Sequence, residues 1–162
     1  MYNVGDKILY PMYGAGTIQA IEERKILKDK QSFYIVQISV GNMVVMIPTA
    51  NTEQAGIRNV ISRERALEVI EKFKNDITDA NNNWNQRYRE NMEKLKNGDV
   101  EQVLDVVKSL MLRDVQNGLS SGERKMLSNA KNILISELVL AEADTPEHIE
   151  SLLEQAINAK AG

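Results

Sequence analysis

The sequence predicts an α+β protein, a small β barrel followed by a helical domain. Three observations carry this. Apolar residues alternate in short runs as far as Ile47, then recur at helical spacing from residue 62, so the period switches from 2 to 3.6 near residue 55. Gly and Pro punctuate the first fifty residues, whereas helix caps punctuate the rest. Four short strands in those fifty residues cannot bury an open sheet, and curling into a barrel is the economical solution.

Lys7-Ile8-Leu9-Tyr10 reads as the first strand, entered from the Gly5-Asp6 turn and stopped by Pro11. Gly14 and Gly16 bracket a bend, and Thr17 to Glu22 forms the second strand. Glu23 to Ser32 reads as a charged connection. Phe33 to Val40 is dense in aromatic and β-branched residues and makes the third strand. Gly41-Asn42 is a two-residue hairpin turn into Met43–Ile47, closed by Pro48. Helices follow. The first starts at Ser62 and runs past Phe73, and Asn75 to Asn83 is a polar linker. The second runs from about Trp84 to Lys96 and stops at Asn97-Gly98. Asp99 caps the third, which Gly118 ends. Ser120 and Glu123 open the fourth as a capping box, and Thr145-Pro146-Glu147 opens the fifth.

Composition narrows the function classes. A hydrophobic share of 43% with a mean hydropathy of -0.36 suits a soluble globular chain. No apolar run approaches the roughly 20 residues of a membrane span, and Met1 to Asp6 lacks the basic and apolar regions of a signal peptide. The chain has no Cys, which fits a reducing cytoplasm. With one His and no Cys, the usual zinc ligand sets and Cys- or His-based triads are missing, and His148 reads as a solvated first-turn residue. Gly14–Gly16 is not followed by a nucleotide-binding fingerprint, and carboxylate pairs such as Glu22/Glu23 and Asp99/Glu101 read as solvated or capping groups. No cofactor and no catalysis are expected.

The formal net charge of -3 argues against indiscriminate nucleic-acid binding. Its distribution is uneven. Residues 1–60 and 61–96 each carry one positive charge in excess, while residues 97–162 hold six Lys/Arg against eleven Asp/Glu. Any DNA contact must therefore be local and centred near Trp84. Trp84 is the only tryptophan, and it lies among amides and arginines from Asn81 to Arg89. Two readings stand side by side. Trp84, Tyr88, Met92 and Leu95 share one helix face, as a buried stripe would. A flat ring beside cationic donors is also the means of meeting unstacked bases or a duplex edge. Gly118 to Lys125 is likewise double. It is a helix–turn–helix joint with its caps, and a first turn carrying Arg124 and Lys125 that could hold a phosphate.

Several of these residues together resemble a known family. Val4-Gly5-Asp6, Tyr10-Pro11 and Gly14 come first, then Asn83-Trp84, Arg87-Tyr88, Leu95 and Gly98-Asp99-Val100. Gly118-Leu119-Ser120, Gly122-Glu123, Met126-Leu127, Ile133-Leu134 and Glu137-Leu138 complete the pattern. The chain is similar over nearly its whole length to the CarD/CdnL bacterial transcription regulators.

The resemblance implies a Tudor-like β barrel over residues 1–58, which docks on the β subunit of RNA polymerase. An all-α domain of about five helices over residues 59–162 would then contact promoter DNA. Trp84 would act as a wedge just upstream of the -10 element, prolonging the open complex of the housekeeping sigma holoenzyme. Arg87, Arg89, Arg124 and Lys125 would supply positive charge for the DNA. Arg24, Met46, Ile47 and Pro48 would meet the polymerase. Actinobacterial members carry a second arginine before the Ile-Pro pair, so Met46 implies an apolar contact here. Gln86 stands where such members have another basic residue, which implies a weaker DNA contact. The alternative is a polymerase-binding adaptor with no DNA role.

Overall fold

The computed structural model describes residues 1–75 and 83–161. Among them are five strands: β1 (Lys7–Tyr10), β2 (Gly14–Ile26), β3 (Asp29–Ile38), β4 (Val44–Pro48) and β5 (Arg58–Asn59). Five helices follow: α1 (Arg63–Asn75), α2 (Trp84–Asn97), α3 (Val100–Asn117), α4 (Ser121–Leu140) and α5 (Pro146–Ala161). The polar linker expected over Asn75–Asn83 lies for residues 76–82 outside the described residues.

The strands form one antiparallel sheet in the order β4-β3-β2-β1-β5. Its two edges meet in one small core, because Ile47 of β4 and Ile57 beside β5 join Ile8, Ile18, Tyr34 and Val36 in a single cluster. The sheet therefore curls, as expected of too few strands with one apolar face. A β-bulge between Ile18 and Ala20 assists the bend. Gly16 is required where β2 crosses β3, since a Cβ there would stand 2.5 Å from the Gln37 carbonyl oxygen.

Three expectations are corrected. The charged segment Glu23–Ser32 is not a loop but a ladder, paired from Glu23↔Ser32 to Ile26↔Asp29 around a tight turn at Leu27 and Lys28. Residues 21–31 are exposed along this arm, so it carries no apolar alternation to betray a strand. β5 was also not anticipated. It is two residues long and pairs with Ile8 and Leu9. The hairpin connection is longer than the two residues expected at Gly41-Asn42: Ile38 N–H bonds to the Met43 carbonyl, so Ser39 to Asn42 form the loop, with φ of +92° at Gly41 and +54° at Asn42.

The helix ends follow the local chemistry. Asn83, Asp99 and Ser120 cap α2, α3 and α4 by accepting backbone N–H groups two or three residues on. Gly98 ends α2 with φ +81°.

Sheet and helices share a core. Successive strand residues face opposite sides. Ile8 therefore enters the sheet's own cluster, while Leu9 and Ala15 enter the larger core with Leu95, Val107, Ile133 and Leu134. Polar contacts lock the same junction. Ala15 N–H donates to Ser136 Oγ at 2.8 Å, and Ser39 Oγ donates to the Ser136 carbonyl at 2.9 Å. Arg58 makes a two-pronged pair with Glu137 at 2.6 and 2.7 Å, and it also donates to the Gly98 carbonyl at 2.8 Å. Glu137 is 2% exposed and accepts a further bond from Ile61 N–H at 3.1 Å.

Candidate nucleic-acid interface

Trp84 is the first residue of α2, and its ring is held at the edge of the helical domain with 43% of its surface exposed. The next turn of α2 brings Tyr88 beneath it. The two rings stack with centroids 5.2 Å apart and planes 21° from parallel. Tyr88 in turn passes over Gly122 of α4, 3.8 Å from where a Cβ would stand. The indole Nε1–H donates to Ser120 Oγ at 3.1 Å. Thus the stripe Trp84–Tyr88–Met92–Leu95 is real, but it grades from exposed to buried. Leu95 is 1% exposed and sits in the core, whereas Trp84 is not.

Arg87 does not accompany Trp84 to the surface. It is 3% exposed and turns into the α2–α4 junction, where its Nε and Nη2 donate to the Glu123 carboxylate at 2.8 and 3.1 Å. The hydrogen bonds from Arg87 are the largest influence on Glu123. They hold its carboxyl below the ordinary range against the opposing effect of burial. Arg87 therefore fixes helices, and its charge is answered within the protein.

Three other cations remain outside. Arg89 and Lys125 are exposed on α2 and α4. Arg124 is exposed and lies 3.7 Å from Asp114. Gln86 is exposed beside Arg89. The structure thus brings Trp84, Tyr88 and Ser120 together at the N-terminal ends of α2 and α4. Sequence reasoning singled out Trp84, but it took Tyr88 as a stripe residue and Ser120 as a cap. Only the fold reveals that both hold the indole.

The expected polymerase-facing residues lie on the sheet. Arg24 stands on the β2–β3 arm, its side chain 55% exposed and its Nη2 3.2 Å from Glu22. Met46 is 39% exposed on β4, and Pro48 closes the strand half-buried. Ile47 is 1% exposed and belongs to the sheet's core, so it supports this surface from behind. β4 is an edge strand. The bond from Ile38 N–H to the Met43 carbonyl fixes the alternation along the ladder. The backbones of Val44 and Met46 consequently turn their N–H and C=O groups away from β3, toward solvent.

No group of three or more potential metal ligands occurs among the described residues. Asp99 is engaged as a cap, and Glu101 is bound by Arg65 and Lys72. No described helix is long and apolar enough to cross a membrane.

A curled five-stranded sheet joined to a helical domain defines a two-module protein of transcription control once the two modules are compared with known ones. Residues 2–61 match the CarD-like/TRCF RID domain, a Tudor-like module, and residues 68–154 match the CarD C-terminal domain. The chain belongs to the CarD-like family of transcription factors. It is 39% identical over 151 residues to the putative transcription factor YdeB of Bacillus subtilis (strain 168), covering 93% of this chain and 99% of that protein.

Proposed function

We propose that the protein is a non-catalytic regulator of cytoplasmic RNA polymerase that binds the β subunit through its sheet and steadies the open promoter complex through Trp84. The partners are the housekeeping sigma holoenzyme and DNA just upstream of the -10 element. Open β4 backbone groups beside Met46, with Arg24 on the neighbouring arm, form the polymerase-facing side. Trp84 forms the DNA wedge, and Arg89, Lys125 and Arg124 neutralise nearby phosphates. Residues 1–58 and 59–162 divide these two tasks.

The observation that carries this reading is the placement of the one tryptophan. A core ring would be enclosed, and this one is 43% exposed yet anchored by a stack and a hydrogen bond. A wedge costs a few kcal/mol of unstacking in intact duplex and less where the duplex is already opening. It therefore binds the open state better than the closed one, which is the condition for shifting that equilibrium. Tethering to polymerase raises the local concentration toward about millimolar, so the weak charge of the DNA-facing side suffices.

Trp84→Ala tests the reading on two scales at once. It should shorten the open-complex half-life at a responsive promoter while polymerase capture persists. It should lower stability by about 1 kcal/mol, the order of one exposed stack, and not by the roughly 3–5 kcal/mol of an enclosed ring. An unchanged half-life would favour the adaptor without a DNA role, a reading that the burial of Arg87 also supports.

A further inference from the structure

Two rungs join the first turns of α2 and α4. Trp84 meets Ser120 and, three residues on in each helix, Arg87 meets Glu123. The second rung is buried and sets the spacing of the helices. The first ends on an exposed ring. Stacking on Tyr88 fixes the plane of that ring but not its direction. The outer torsion of a tryptophan side chain is roughly two-fold, and a half-turn about it would keep the plane of the ring while exchanging its edges. Ser120 removes this degeneracy. Its Oγ accepts Glu123 N–H at 3.2 Å as the α4 cap and Trp84 Nε1–H at 3.1 Å. With Nε1 turned to α4, the direction of the indole within its plane is fixed.

We infer that Ser120 is the positioning residue of the Trp84 wedge, fixing the direction of the ring before DNA arrives. The inference rests on the reading of Trp84 as a wedge. Two consequences give the bond its value there. A side chain ordered in advance loses less freedom on insertion. The indole N–H also keeps a partner when the ring enters a stack of bases, where an unpaired donor is costly. No other serine or threonine need be invoked, because one hydroxyl has lone pairs enough for both the cap and the ring.

The test uses the full chain with polymerase and a responsive promoter, and compares Ser120→Ala, Ser120→Thr and Ser120→Gly. Each is made with Trp84 intact and in the Trp84→Phe background, which keeps a ring but lacks the N–H. Ser120→Gly guards against loss through unfolding, since glycine is an acceptable cap. With Trp84 intact, loss of the hydroxyl should shorten the open-complex half-life by about two- to tenfold, the effect of one hydrogen bond, and Ser120→Thr should retain it. In the Trp84→Phe background the same changes should move the half-life by less than about twofold, since the bond is already gone. A second readout is free of DNA. Trp84 is the sole tryptophan, so acrylamide quenching of its fluorescence should rise in Ser120→Ala and Ser120→Gly and stay put in Ser120→Thr. Equal effects of Ser120→Ala in both backgrounds would reduce Ser120 to a helix cap and overturn the inference, as would unchanged quenching. An unchanged half-life for Trp84→Ala would remove the wedge reading itself. A shortened one for Trp84→Ala with none for Ser120→Ala and Ser120→Gly would remove only the positioning role.

Discussion

At the scale of single residues, the Arg87–Glu123 pair has a large energetic stake in the α2–α4 junction. Both side chains are almost fully enclosed. Removing one partner of such a pair strands a charge, at a cost of about 3–5 kcal/mol. Glu123→Gln should therefore lower the unfolding free energy by that order near neutral pH. The pH dependence has a definite sign. The folded carboxyl titrates below its ordinary value, so its contribution is present above the unfolded pKa of about 4.3 and is lost as pH falls through the folded one. Denaturant midpoints of parent and Glu123→Gln should converge below about pH 4 and stay apart above pH 5. A gap that widens on acidification would contradict this assignment. The inward turn of Arg87 was not legible in the sequence. Its neighbours are polar, it lies three residues from an exposed ring, and the carboxylate it needs is 36 residues away. Helical spacing places a side chain on a face but does not say which distant acid covers that face.

At the scale of elements, local chemistry was legible and wet ladders were not. Asn83, Asp99 and Ser120 cap helices because their side chains bond within three residues, a signal contained in the segment itself. The Glu23–Ser32 arm failed as a strand signal because neither of its faces meets a core. The edge strand β4 yields a paired prediction. Met46 N–H points out of the sheet, whereas Val45 N–H lies on the side of the ladder to β3. Met46→Pro removes an outward donor together with the exposed Met46 side chain, in a position where edge prolines are tolerated. It should weaken capture of the polymerase β subunit and leave the melting temperature within a few degrees of the parent. Val45→Pro breaks the ladder, and it should depress the melting temperature strongly. Full capture by Met46→Pro would mean that the open backbone of β4 is not the docking edge.

Taken as a whole molecule, sheet and helices are clamped by Arg58 and Glu137 across their junction. Arg58→Ala leaves Glu137 buried with its charge unanswered and should cost about 3–5 kcal/mol. Replacing both by leucine should cost less than the single change, because no lone charge is left inside. Chemical denaturation of the three variants checks this order. The charge layout of the whole chain makes a second prediction. On the proposed reading, the exposed Arg89, Lys125 and Arg124 are the cations that neutralise phosphates near Trp84. The logarithm of affinity for free duplex should thus fall with the logarithm of salt concentration at a slope of about -3, from a weak starting value. Nanomolar, sequence-specific binding to a short duplex without polymerase would overturn the tethering argument.

The bond from Ala15 to Ser136 also has a consequence for how the chain is made. Its ends are 121 residues apart in sequence, so the ribosome delivers the sheet long before the helix that covers it. Until α4 emerges, the nascent sheet shows Leu9 and Ala15 to solvent or to chaperones, since both belong to the core that the helices complete. Pairing so remote in sequence closes slowly. Refolding should accordingly show strand signals first and a later concentration-independent phase in which the junction seals. Leu9→Ala, by weakening that seal, should affect the late phase and spare the early one.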